Sequence, residues 1–162
     1  MYTLLQHLQY NYWANEKISG FVTAANEVLF TQETPSSFNT LQKTLLHVWD
    51  AEFIWLKRIQ GESLTDFPSK NFNGNRIDVI NGLLSSSKNL IQLIADSSPD
   101  INGKIIRYKN MKGEEFSTDV EGIMMHVVNH GTFHRGQVIT MLRALGYTQV
   151  SSTDLITYLR TI

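Results

Sequence analysis

The chain has 162 residues, with 14 Lys+Arg against 15 Asp+Glu and no cysteine. A chain of this length buries about 70% of its unfolded surface on folding, so one domain with one sizeable core is expected over residues 1–162. A formal net charge of -1 offers no positive field for phosphate backbones or anionic lipid, and the missing thiols exclude disulfides, thiolate metal ligands and a protein-borne thiol nucleophile.

With 42% hydrophobic residues, 18% charged residues and 3 prolines, the composition is that of a globular chain. The first residues scatter their polar side chains and lack a charged start followed by an apolar run, so no signal peptide is expected. No run approaches the roughly 18 apolar residues that a membrane helix needs. The expectation is a soluble cytoplasmic protein without nucleic-acid or membrane contacts, acting on a small molecule.

Helix one is predicted from about Thr3 to Leu29, on Leu4, Leu8, Tyr12, Ile18 and Val22 at helical intervals. The run from Thr31 to Ser37, which contains Pro35, breaks it. Asn39 and Gln42 have capping-box spacing and open helix two, which carries Leu41, Leu45, Val48, Trp55 and Ile59 to about Gln60 and stops at Gly61. Residues 62–75 are polar and form a long connection. Helix three runs from about Arg76 to Asp96 on Ile77, Ile80, Leu84, Ile91 and Ile94, and Ser97, Ser98 and Pro99 end it.

Two β-like runs, 104–109 and 114–118, flank a turn at Asn110–Gly113 and predict a hairpin that leans on the helices. Thr118 and Glu121 repeat the capping-box spacing before helix four, which reaches Leu145 and stops at Gly146. Asp154 is placed to cap a short last helix. Four long helices and one hairpin around a shared core is the simplest architecture: an all-α four-helix bundle.

Helix four carries His126, His130 and His134 at intervals of four. Residues four apart lie roughly 6 Å along the axis with about 40° of turn between them, so two imidazoles can converge on one ion, whereas residues eight apart cannot. Ile123, Val127, Val138, Met141 and Leu145 make the apolar stripe; His130 and His134 fall within it and His126 at its edge, nearer Phe133 and Ala144. Two histidines in a core stripe need a partner for each ring, and a metal ion satisfies both. Periodicity alone leaves two hydrogen-bonded core histidines as an equal alternative. A third ligand must come from another helix, either His47 or His7. His47 lies mid-helix on the flank of the helix-two stripe, near Ala51 and Ile54; His7 lies near the N-terminus, where fraying is expected.

Three segments carry a resemblance to a known family: YWAN at Tyr12–Asn15, LLHVWDAEFIWL at Leu45–Leu56, and HVVNHGTFHRGQV at His126–Val138. With them the chain resembles, over nearly its whole length, the DinB family of bacterial proteins, whose members are regarded as metalloenzymes and include thiol-dependent transferases. The resemblance implies metal ligands at His47, His130 and His134. It also implies a bundle of up-down-down-up order, with the hairpin segment crossing over before helix four, and pairing as a homodimer. The family's name records induction by DNA damage and implies no contact with DNA. One departure is the stretch Ser151–Thr153, where relatives often carry proline.

Three neutral imidazoles with an open fourth position are the usual donor set of a catalytic zinc site; nickel, iron or manganese suit the same set, with zinc or nickel the expected ion. The first functional expectation is a transferase that activates a low-molecular-weight thiol, which must be external because the chain has none. The second is a metal-dependent hydrolase, for which Glu52, in the helix-two stripe, is the one tempting proton acceptor, although a structural role is favoured for it. The third is a binding or sensing protein in which the metal only fixes the fold or recruits a ligand. Asn129, Arg135 and Gln137 flank the centre, Gln137 on the inward face, where a packing role is favoured over a hydrogen bond to a ligand. Trp13, Trp49 and Trp55 are expected to be core aromatics.

Overall fold

The computed structural model describes residues 2–62, 64, 66–97, 101 and 103–162. It contains α1 (Leu4–Ala24), α2 (Leu41–Ile59), α3 (Arg76–Ser97), α4 (Val120–Ala144) and a short α5 (Leu155–Leu159). Between α3 and α4, strands β1 (Ile105–Lys109) and β2 (Glu115–Asp119) pair antiparallel, with Ile105 opposite Asp119 and Lys109 opposite Glu115.

Side chains at the helix starts decide where each helix begins. The Thr3 hydroxyl accepts the Gln6 N–H at 3.2 Å while the Gln6 side chain accepts the Thr3 N–H at 2.9 Å, which closes a capping box. α1 ends at Ala24, short of the expected Leu29, because Asn26 caps a separate 3-10 turn, Glu27–Phe30, by accepting the Val28 N–H. The start of α2 is Thr40 and not Asn39: Thr40 is extended and its hydroxyl accepts the Lys43 N–H, whereas Asn39 turns to Lys43 Nζ and Glu33. At α4 the cap is Asp119, one residue beyond Thr118. Its carboxylate accepts the Gly122 N–H at 2.7 Å, a charge favoured at a helix N-terminus, and Glu121 accepts the Gly103 N–H instead of closing a box. Asp154 precedes α5 but makes no capping bond. Gly61 and Gly146 follow α2 and α4 in the left-handed region, both at φ 88. Ser97 is the last residue of α3; Ser98 and Pro99, expected to stop it, lie outside the described residues.

Two apolar clusters stacked along the axis give the helix directions. One joins Leu8 of α1 and Ile123 and Val127 of α4 to Leu56 and Ile59 of α2 and Leu90 and Ile94 of α3. The other joins Ile18 and Val22, Val138 and Met141 to Leu41 and Leu45, Val79 and Leu83. The first halves of α1 and α4 therefore share a level with the second halves of α2 and α3, which is the up-down-down-up order. α1 and α2 each pack against α3 and α4. Because α2 and α3 are parallel neighbours, the described residues 66–75 belong to a segment that returns along the bundle, while the hairpin precedes α4 at one end. Arg58 ties the hairpin to α2: its guanidinium lies 4.6 Å from the Trp55 ring and 4.8 Å from that of Tyr108, and it donates to the Lys109 carbonyl.

The expected stripes hold for α4, where Ile123, Val127, Val138 and Met141 are buried, and Leu145 is half-buried just past the helix end. In α3 the stripe is rotated. Ile77 is 46% exposed, and Val79, Leu83 and Leu90 fill the core with Ile80 and Ile94. Small residues caused the misreading: Ser86 and Ser87 are buried without apolar signal, and Gly82 receives the Trp49 ring so closely that a Cβ there would lie 2.2 Å from it. Among the described residues no helix is long and apolar enough to cross a membrane.

Candidate metal centre

α2 and α4 run antiparallel and in contact, so a residue in the first half of α2 meets the second half of α4. His47 thereby faces His130 and His134. Their potential ligand nitrogens all lie within 4.8 Å of one another, and the Nε2 atoms of His47 and His130 are 2.9 Å apart. His134 is buried, and His47 and His130 are half-buried.

The rings are held from outside the trio as well. His134 Nδ1 lies 2.7 Å from Gln137 Oε1, and because the amide oxygen only accepts, Nδ1 carries the proton and Nε2 is left as the free donor atom. Gln137 Nε2 in turn donates to Ser37 Oγ. Gln137 thus orients a ring of the centre, beyond the packing role expected of it. Phe38 stacks on His47 with centroids 4.2 Å apart and meets His134 edge-on.

Burial, and then the neighbouring His134 and His47, push His130 from its ordinary 6.5 down to about 3. Burial lowers His47 and His134 as well. All three imidazoles are therefore neutral at neutral pH, which is the form a metal requires. Metal–nitrogen bonds of about 2.0–2.1 Å at tetrahedral angles separate ligand nitrogens by roughly 3.3 Å, a spacing bracketed by the 2.9 Å and 4.8 Å found here. The donor set fits a divalent ion of borderline softness, and among the described residues no carboxylate completes the group.

The other histidines stand apart. His7 packs among Tyr2 and Tyr10 at the far end of α1, and His126 is exposed, 5.7 Å from the Trp55 ring and 5.9 Å from His130. Two clefts flank His47. One, of about 530 Å³, is lined by residues that include Phe38, Lys43, Asp50, Phe67 and Phe72; the other, of about 280 Å³, by Asp50, Ala51, Ile54, Trp55 and Phe67. Phe67 and Phe72 come from the segment that travels back along the bundle, so this crossing builds the walls of the site. Trp13 and Trp49 pack against the two core clusters, whereas Trp55 also lines the smaller cleft.

Glu52 does not reach the clefts. It is 1% exposed, and its carboxylate accepts from Asn11 Nδ2 (2.7 Å), Asn15 Nδ2 (2.9 Å) and Ser87 Oγ (2.6 Å). Burial raises its pKa, and the hydrogen bonds from Ser87 and Asn11, the charge of Arg135 and the bond from Asn15 pull it back. The carboxylate that borders both clefts with His47 is Asp50, which holds the returning segment by accepting the Ser69 N–H at 2.9 Å. Sequence reasoning passed over Asp50 because it lies off the apolar stripe; its spacing of three from His47 was the available signal. Asn129 is exposed.

Protein DinB of Bacillus subtilis (strain 168) is 28% identical over 157 residues, which cover 93% of this chain and 90% of that protein. The pattern of the DinB family matches residues 1–161, and the chain belongs to that family.

Proposed function

We propose that the protein binds one divalent metal ion, zinc or nickel, through His47, His130 and His134, and that it is a transferase acting on a low-molecular-weight thiol. The observation that carries the metal reading is the convergence of three neutral imidazoles from two antiparallel helices. A divalent ion with a free position supplies Lewis acidity, which lowers the pKa of a thiol or water placed beside it. The residues around it have separate tasks. Gln137 fixes the His134 tautomer, and Phe38 covers one face of the His47 ring and meets His134 edge-on. The clefts on either side of His47 offer aromatic walls to a small organic substrate. The absence of cysteine supports an external thiol over a protein-borne one.

A hydrolytic reading draws its support from Asp50, a carboxylate beside His47 that can take up a proton. Glu52 is withdrawn from that role, since both of its oxygens are engaged in the core.

Metal analysis of untagged protein tests the first step. About one ion per chain in the parent and its loss in His130→Ala are expected; equal metal content in both would overturn the site. The metal-loaded protein is then incubated with bacillithiol, glutathione or coenzyme A and an alkylating electrophile. Metal-dependent thiol consumption is expected. If no thiol is consumed, the transferase reading falls; hydrolysis of ester substrates that is lost in Asp50→Asn would favour the second reading, and ligand binding without turnover a sensing role.

A further inference from the structure

Glu52 and Arg135 are opposite charges, 1% and 2% exposed, at the level between the two apolar clusters. Two such charges normally meet directly, yet here two asparagines stand between them. Arg135 Nη1 donates to Asn11 Oδ1 at 2.7 Å and to Asn15 Oδ1 at 2.8 Å, and the amide nitrogens of the same two residues donate to Glu52 Oε1. The charges dictate the amide orientations: a carboxylate only accepts and a guanidinium only donates, so neither asparagine can turn over. Ser87 donates to the other carboxylate oxygen, so all four long helices are joined at one level. Gly131 leaves room for the junction, since a Cβ there would stand 2.7 Å from Arg135 Nη1 and 2.9 Å from Asn11 Oδ1.

Arg135 follows His134 directly in α4, and Glu52 lies about one and a half turns beyond His47 in α2. The layer therefore clamps the two helices that carry the histidines, close to the histidines themselves. We infer that Arg135, through Asn11 and Asn15, is a positioning residue that sets the spacing of His47 from His130 and His134. Apolar packing alone would let α2 and α4 slide or rotate among several similar contacts, whereas a layer of oriented hydrogen bonds has one register. The consequence for metal binding rests on the proposed function above; the spacing itself does not.

The test compares the wild type with Asn11→Ala/Asn15→Ala, which removes the bridge and leaves both charges and all three histidines, and with Arg135→Lys, which keeps the charge but loses the planar fork. In chelated protein, nuclear Overhauser contacts between the His47 and His130 rings report the spacing without metal. In cobalt(II)-loaded protein at saturation, the visible ligand-field bands report the coordination geometry, which a loss of global stability alone does not alter. The variants are expected to remain helical, to weaken the ring contacts, to bind metal about 10- to 100-fold less tightly and to shift the cobalt bands. Unchanged ring contacts and cobalt bands with only a lower Tm would overturn the inference. Weakened ring contacts in a protein whose wild type binds no metal would uphold the positioning and overturn the metal reading. If the double variant fails to fold, Asn11→Ala keeps the Asn15 bridge and is read by the same two signals, where no change in either again overturns the inference.

Discussion

The Nε2 atoms of His47 and His130 lie 2.9 Å apart, although 83 positions separate the two residues in the chain. One ring must present Nε2–H and the other its lone pair, so the contact requires at least one neutral imidazole, and the low pKa of His130 supplies it. The centre is thus a pair of tilted rings, 4.8 Å between centroids, with His134 completing the triangle.

Acid should destabilise the metal-free protein through this pair. His130 is lowered from 6.5 to about 3, so between these values the unfolded chain takes a proton that the fold refuses. Stability is therefore full above about pH 6.5 and declines as the pH falls toward 3. In thermal melts of chelated protein, the wild type should therefore lose more of its Tm than His130→Phe as the pH falls from neutrality toward 3. Parallel pH dependence in the two would contradict the assignment.

Removing the Gln137 carboxamide frees His134 Nδ1 and the ring's orientation with it. Gln137→Ala should weaken metal binding by about 10- to 100-fold with little change in helix content, as measured by competition with a chromophoric chelator. Affinity equal to that of the wild type would mean that the ring is held by packing alone.

Glu52→Ala leaves the Arg135 guanidinium buried without its counter-charge and strands the Asn11 donor, while Asn15 keeps Ser87 and Ser87 keeps the Leu83 carbonyl as acceptors. A loss of about 3–5 kcal/mol in urea unfolding is expected, because breaking one side of a buried charge pair leaves the other uncompensated. Glu52→Gln should fall between this variant and the wild type, since an amide retains one acceptor for the asparagines.

Gly82→Ala places a methyl where the Trp49 ring lies, 2.2 Å from its nearest atom, at the contact of α2 with α3. Helix propensity favours alanine by up to about 1 kcal/mol, but overpacking costs about 1–3 kcal/mol, so net destabilisation with altered tryptophan fluorescence is expected. A stabilised Gly82→Ala would show that the ring can move aside freely.

Local pattern along the chain is enough to place the four long helices, the hairpin at 105–119 and the inward-turned His130 and His134. These depend on local quantities: apolar periodicity, turn residues and a spacing of four on one helix. It located the glycine stops after α2 and α4 but put the starts of α2 and α4 one residue early. Neighbouring Asn39 and Thr40, or Thr118 and Asp119, compete for the same cap, and only the backbone path decides between them. The rotated stripe of α3 was hidden for a related reason, because Gly82, Ser86 and Ser87 are buried by what they admit and not by their own apolar surface. The family resemblance pointed to His47, but it took the packing of α2 on α4 to bring that ring to the pair, to put Asp50 and not Glu52 at the clefts, and to bridge Glu52 to Arg135 through Asn11 and Asn15. Each of these joins residues on different helices, and their meeting depends on helix direction and rotation, which the apolar pattern of one helix does not contain.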